Sequence, residues 1–144
     1  MNNIRQISVF VENKPGRLSA ITKILKDNGI NIRAISIADT KDFGILRLIV
    51  SDPDKACEKL RAEKCTVTIT EVVAIEIADE LGRLSSVIDI LADSKVNIEY
   101  MYAFIAVSRN HAYVVFRVSD NAKTEALLTD NGLKLASEED ISAL

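Results

Sequence analysis

Two short runs in this chain carry residues that could hold a small anion, and they are copies of each other. Asn13-Lys14-Pro15-Gly16-Arg17-Leu18-Ser19 returns as Asp79-Glu80-Leu81-Gly82-Arg83-Leu84-Ser85, and Asn31-Ile32 returns as Asn97-Ile98, both after 66 residues. A glycine-bearing turn leading from a strand into a helix leaves backbone N–H groups converging at a positive helix end. A carboxylate suits that place, and Gly16 or Gly82 would let it approach the backbone closely while also making the turn. Arg17 and Arg83 could steer an anion there, or simply be solvated at a helix start. The side chains of Leu18 and Leu84 read as core.

Other chemistry finds little footing. The single histidine, His111, has no serine or cysteine motif beside it and reads as a surface residue at the end of a strand. Acidic residues are spread along helices and turns without the spacing of a catalytic carboxylate pair or a metal site. Gly16 and Gly29 make neither a phosphate loop nor a dinucleotide fingerprint. Cys57 and Cys65 match no metal spacing, fit a reducing compartment and read as packing residues. No catalytic residue, metal or cofactor is therefore expected.

Composition narrows the class further. The chain has 144 residues, 48% of them hydrophobic and 27% charged, with a net charge of −3. With a pI near 5.2, it offers no basic field for nucleic acid or an anionic membrane. Aromatics are only 5% and tryptophan is absent, which argues against the stacking platform of an RNA-binding sheet. No apolar run approaches the roughly 20 residues of a spanning helix, and the start does not resemble a signal peptide. The expectation is a cytoplasmic protein that is not an enzyme.

The elements that must position the repeated turn can be read from periodicity. Ile7, Val9 and Val11 alternate with Ser8 and Phe10 as a strand. From Arg17 the pattern becomes helical, with Leu18, Ile21, Leu25 and Asn28 on one stripe and Gly29 as its C-terminal stop. Ile30, Ile32, Ala34 and Ser36 against Asn31, Arg33, Ile35 and Ile37 make a second strand. A polar turn is expected over Asp39 to Asp42, then a strand over Gly44 to Val50. Asp52-Pro53 starts a helix to about Lys64 with Ala56 and Leu60 inward, and Cys65 to Thr70 forms a final edge strand. The second copy follows suit, with a strand through Val73, Ile75 and Ile77 and a helix striped by Leu84, Val87 and Leu91. A hairpin of Ile98 to Val107 and Ala112 to Val118 turns at Ser108-Arg109-Asn110, Asp120 caps a helix through Leu128, and Leu133 to Leu135 ends the repeat. Ser137-Glu138-Glu139-Asp140 looks like a capping box.

From Glu12 to Ile32 against Ala78 to Ile98, nine of 21 positions are identical, where average composition gives about one. Two copies only, at this long period, imply two small domains, residues 1–70 and 71–144, rather than an array. Each reads β-α-β-β-α-β, the α+β ferredoxin-like order.

The strand followed by Asn13-Lys14-Pro15-Gly16-Arg17-Leu18 and then Asn28-Gly29-Ile30-Asn31-Ile32 resembles the ACT domain, a small amino-acid-binding regulatory module. Ile75 to Ile98 resembles it too. The resemblance implies two ACT-like domains side by side in one extended antiparallel sheet with helices on one face. It also implies ligand sites at the domain interface, between the first loop of one domain and the second strand of the other. Carried over, the loop donors would be Asn13, Gly16, Arg17 and Leu18, with Asp79, Gly82, Arg83 and Leu84 as their counterparts. Asn31, Ile32, Asn97, Ile98 and Tyr100 would come from the second strands; the asparagines read equally well as helix-exit residues, and Tyr100 and Tyr102, sharing a strand face, equally well as core. Asp79 would repel a carboxylate where Asn13 would hold one, so unequal sites are expected.

The function that follows is a regulatory sensor of an amino acid or similar small carboxylate, acting on a metabolic enzyme, with a homodimer left open and neither nucleic acid nor membrane as partner. A protein-interaction subunit with vestigial ligand sites is the alternative.

Overall fold

Alternating apolar side chains make Ile4–Glu12 the first strand, β1. Ile7 and Val9 are buried toward the helices with Val11 beside them, while Phe10 is exposed on the opposite face. The computed structural model describes residues 4–39, 43–105 and 111–144. They form two compact units, one of Arg5–Thr70 and one of Glu71–Leu144 with Ile4. In the first, β1 leads to α1 (Arg17–Asp27), β2 (Ile32–Asp39), β3 (Phe43–Val50), α2 (Pro53–Ala62) and the start of β4 (Thr66–Ala78). The second takes the rest of β4, then α3 (Arg83–Asp93), β5 (Ile98–Ala103), β6 (His111–Val118), α4 (Asn121–Asp130), β7 (Lys134–Leu135) and α5 (Glu138–Ser142). The expected turn over 40–42 and the hairpin tip over 108–110 lie outside the described residues.

Both units are ferredoxin-like. The first orders its strands β2-β3-β1, with Ile7 opposite Leu48 and Val9 opposite Leu46. The second orders them β5-β6-β4-β7, with Val73 opposite Phe116 and Ile75 opposite Val114. All these pairings are antiparallel. In each unit the helices meet one sheet face. Ile21 and Leu25 of α1 and Ala56, Cys57 and Leu60 of α2 close over the first; Val87 and Leu91 of α3 and Leu128 of α4 close over the second.

Three expectations need correcting. The strand expected to stop at Thr70 does not stop: β4 is a single strand of 13 residues, because nothing from Thr70 to Val72 is a glycine or proline that would break it. The strict alternation expected across Ile30 to Ile37 slips, since β2 has an irregularity between Ile32 and Ala34. Ile32 and Ile35 therefore both pack against the helix-side core, as a bulged strand allows. The same slip recurs in β5 between Ile98 and Tyr100, 66 residues on. Finally, Leu18 and Leu84 are not core: they are 39% and 38% exposed, because Ile21 and Leu25, and Val87 and Leu91, already fill the buried stripe of each helix.

Helix ends repeat as faithfully as the strands. After α1 the Ile30 N–H returns to the Leu25 carbonyl and the Gly29 N–H to Lys26, which closes the last turn through a left-handed residue. The other three long helices close identically, through Lys64, Lys95 and Gly132. Each repeat thus places one glycine and one lysine at these positive-φ exits, with Lys64 at φ 64° and Lys95 at φ 59°. Asp52 and Asp120 accept the N–H groups of Lys55 and Lys123 at 3.1 and 3.0 Å as helix caps. Ser137 and Asp140 exchange the two bonds of the expected capping box.

Candidate ligand-binding site

The repeated turn is built on a left-handed glycine in both copies, Gly16 at φ 87° and Gly82 at φ 82°. Before each glycine the chain tightens: the Lys14 N–H donates to the Glu12 carbonyl, and the Glu80 N–H donates to that of Ala78. The Arg17 N–H donates to the Lys14 carbonyl at 3.3 Å, and Arg83 to Glu80 at 3.2 Å. One of the backbone donors expected to meet a ligand is therefore already used within the turn.

What the turn does deliver is the arginine side chain. Arg17 and Arg83 each reach the wall of a cavity lying within their own unit, between the first helix, the end of the first strand and the exit of the second helix. The first measures about 420 Å³ and the second about 290 Å³, the scale of small-molecule sites. The two cavities are one construction used twice. Arg17, Ala20, Ile21 and Ile24 of the first stand 66 residues before Arg83, Ser86, Val87 and Ile90 of the second. Beyond the second strand the offset becomes 68, and Glu63, Lys64 and Cys65 match Asn131, Gly132 and Leu133.

Their electrostatics differ. In the first unit Glu12 accepts from Lys14 Nζ at 2.9 Å and from Arg17 Nη2 at 3.2 Å. These two cations, Lys14 foremost, hold its carboxyl below the usual glutamate range. In the second unit Arg83 turns to Glu80 at 3.1 Å. Glu76, only 15% exposed, meets Lys134 at 3.2 Å and His111 at 3.7 Å. Glu76 in turn raises the Lys134 ammonium. Burial pushes the Tyr113 hydroxyl up, and Glu76, directly across the strand pair, adds to that. Cys65, at the wall of the first cavity, and Cys57, in the core beneath α2, have thiols raised by burial, which suits packing residues.

Of the residues singled out in the sequence, Arg17 and Arg83 line these cavities. Asn13 and Asp79 are exposed on their turns. The Asn31 N–H donates to Ser51 Oγ at 3.0 Å and its carbonyl accepts the Ser51 N–H at 2.9 Å; the Asn97 carbonyl accepts from Ser119 at 3.2 Å. Both asparagines thus clasp the end of the neighbouring strand. Ile32 and Ile98 pack on their cores. Tyr100 stacks on Tyr102, ring centres 6.4 Å apart, on the face away from α3 and α4. Phe10, Phe43, Glu76, His111 and Lys134 were not foreseen at the cavities. Their signal lay in the 68-residue offset, which pairs Phe43 with His111 once the longer hairpin is allowed for. Among the described residues no group of histidine, cysteine and acidic side chains could hold a metal, and no helix is long and apolar enough to cross a membrane.

Known proteins share this arrangement. The structure of protein BT0572 from Bacteroides thetaiotaomicron superposes with a TM-score of 0.92 at 40% identity, covering 99% of this chain and 98% of that one. The ligand-free regulatory subunit of aspartate kinase from Thermus thermophilus has the same fold, with a TM-score of 0.67 at 17% identity over 90% of each chain. In sequence, the acetolactate synthase small subunit of Mycobacterium avium is 26% identical over 132 residues, 85% of this chain and 78% of that protein. The family described as an ACT domain pair matches residues 2–144. Two ferredoxin-like units, each with a glycine-arginine turn opening its first helix, together with that match, make the chain a member of the ACT domain pair family.

Proposed function

We propose that this ACT domain pair is a cytoplasmic regulatory protein that binds an amino acid or a similar small carboxylate and relays its presence to a metabolic enzyme. One observation carries the reading: two cavities, matched residue for residue through the internal repeat, each with an arginine from the first turn of the first helix at its wall. A guanidinium binds a carboxylate through paired hydrogen bonds. The pairs it would have to leave, Arg17–Glu12 and Arg83–Glu80, are solvent-exposed and so cost a ligand about 1 kcal/mol or less to displace. The similarity to a small subunit of acetolactate synthase supports an enzyme of amino-acid metabolism as the target.

The alternative, an interaction subunit whose ligand sites are vestigial, draws on the apolar residues the surface presents, Phe10, Phe43 and Leu81 among them. Thermal unfolding against the standard amino acids and their 2-oxo acids separates the two readings. A ligand at 100 times its Kd adds about 2.7 kcal/mol if it binds only the folded state. A clear rise in Tm with one compound supports the sensor; no rise with any of them leaves the interaction subunit.

A further inference from the structure

The two cavities share a frame but not a wall. At four linked positions the repeats exchange chemistry together: Phe10, Phe43, Ile45 and Thr66 in the first stand where Glu76, His111, Tyr113 and Lys134 stand in the second. These residues are neighbours in the sheets. In the first unit Phe10 lies opposite Ile45 and Phe43 opposite Glu12. In the second unit Glu76 lies opposite Tyr113 on one side and Lys134 on the other. The exchange is therefore one patch changing character, not four unrelated substitutions.

In the second unit the patch satisfies itself. The Glu76 carboxylate meets Lys134 on one oxygen and faces His111 with the other. An apolar group laid there would strip water from these charges and return nothing for it, which is costly. In the first unit Phe10 and Phe43 are 48% and 58% exposed at the wall of the larger cavity. Apolar surface left in water there is stabilised by whatever covers it, by about 25 cal/mol per Å². Ile21, Ile24 and Cys65 continue the same apolar lining, and Arg17 and Lys64 supply the cations.

We infer that the cavity of the first repeat is the specific site, and that it takes a carboxylate with an apolar side chain, aliphatic or aromatic, whose body covers Phe10 and Phe43 while its acid group meets Arg17. The second cavity rejects such a ligand. This rests on the sensor reading above and names its ligand class and its site. The volume of about 420 Å³ admits a molecule of leucine or phenylalanine size, and the binding ratio is one per chain.

Calorimetry of the full chain with L-leucine, L-phenylalanine and 4-methyl-2-oxopentanoate, beside L-glutamate and L-lysine, tests this. The expected result is a ratio of one for an apolar compound and at least tenfold weaker binding of the charged ones. Phe43→His and Phe10→Glu, which import the second repeat's residues at exposed positions, should each weaken the apolar ligand at least tenfold with Tm little changed. Phe43→Leu should keep affinity within a few-fold, and Glu76→Gln should leave it unaltered. A ratio of two, preference for a charged side chain, or unchanged affinity in Phe43→His overturns the inference while leaving the sensor reading intact. If none of the standard amino acids or 2-oxo acids binds, it is the sensor reading that fails.

Discussion

Glu12 is the residue on which the first cavity turns, because it competes for the guanidinium a ligand would need. Its carboxylate is clasped by Lys14 and Arg17, and its lowered pKa has a definite sign. The clasp is complete above the ordinary glutamate value of about 4.3 and is lost as pH falls through the lower folded value. At neutral pH Glu12 is thus a standing rival to any incoming acid. Glu12→Gln keeps the shape and removes the charge, and should tighten a carboxylate ligand by up to about fivefold, the range of an exposed ion pair. Titration calorimetry of the wild type and the variant at equal salt reads this directly; weaker binding in Glu12→Gln would assign Glu12 to the ligand's ammonium instead. The sequence named Arg17 and Arg83 but not Glu12 or Glu76, since a lone glutamate near a strand end is indistinguishable from a solvated one until its neighbours across the sheet are known. Register decides such neighbours, and register is not local.

At the scale of elements the internal repeat acts as a control, because each helix exit has a twin with a different residue in the same conformation. Gly29 at φ 69° and Lys95 at φ 59° close the first helices of the two repeats. A side chain in the left-handed region costs about 1–2 kcal/mol, partly offset by the greater freedom glycine has in the unfolded chain. Lys95→Gly should therefore stabilise the protein by about 1 kcal/mol, and Gly29→Lys should destabilise it similarly; urea unfolding gives both values. No change in either would mean that the exits are not strained. Strand and helix identities were legible in the sequence because periods of 2 and 3.6 are written locally. The bulges that slip β2 and β5 were not, nor was the continuity of β4. Both depend on pairing between strands distant in the chain. Leu18 and Leu84 misled for a related reason: their spacing fits the apolar stripe, but they sit on its first turn, where the helix leaves the core.

At the scale of the whole chain, the two units are not cut where the secondary structure pauses. β1 begins with Ile4, which groups with the second unit, and continues from Arg5 in the first. β4 carries residues 66–70 in the first unit and 71–78 in the second without a break. A division after Thr70 therefore splits a strand rather than a linker. It leaves two pieces of 70 and 74 residues, a size at which burial is marginal even for an intact domain. The first piece would end five residues into β4, and the second would lack the start of it. Expressed separately, residues 1–70 and 71–144 should each show a broad, weakly cooperative urea transition by circular dichroism, where the full chain shows one sharp transition. Mixing them should restore cooperativity only insofar as β4 can be rebuilt from its two halves. A sharp transition from residues 1–70 alone, in a monomer, would mean that the first repeat is a self-sufficient domain, and that the strand running through the division contributes little to its stability.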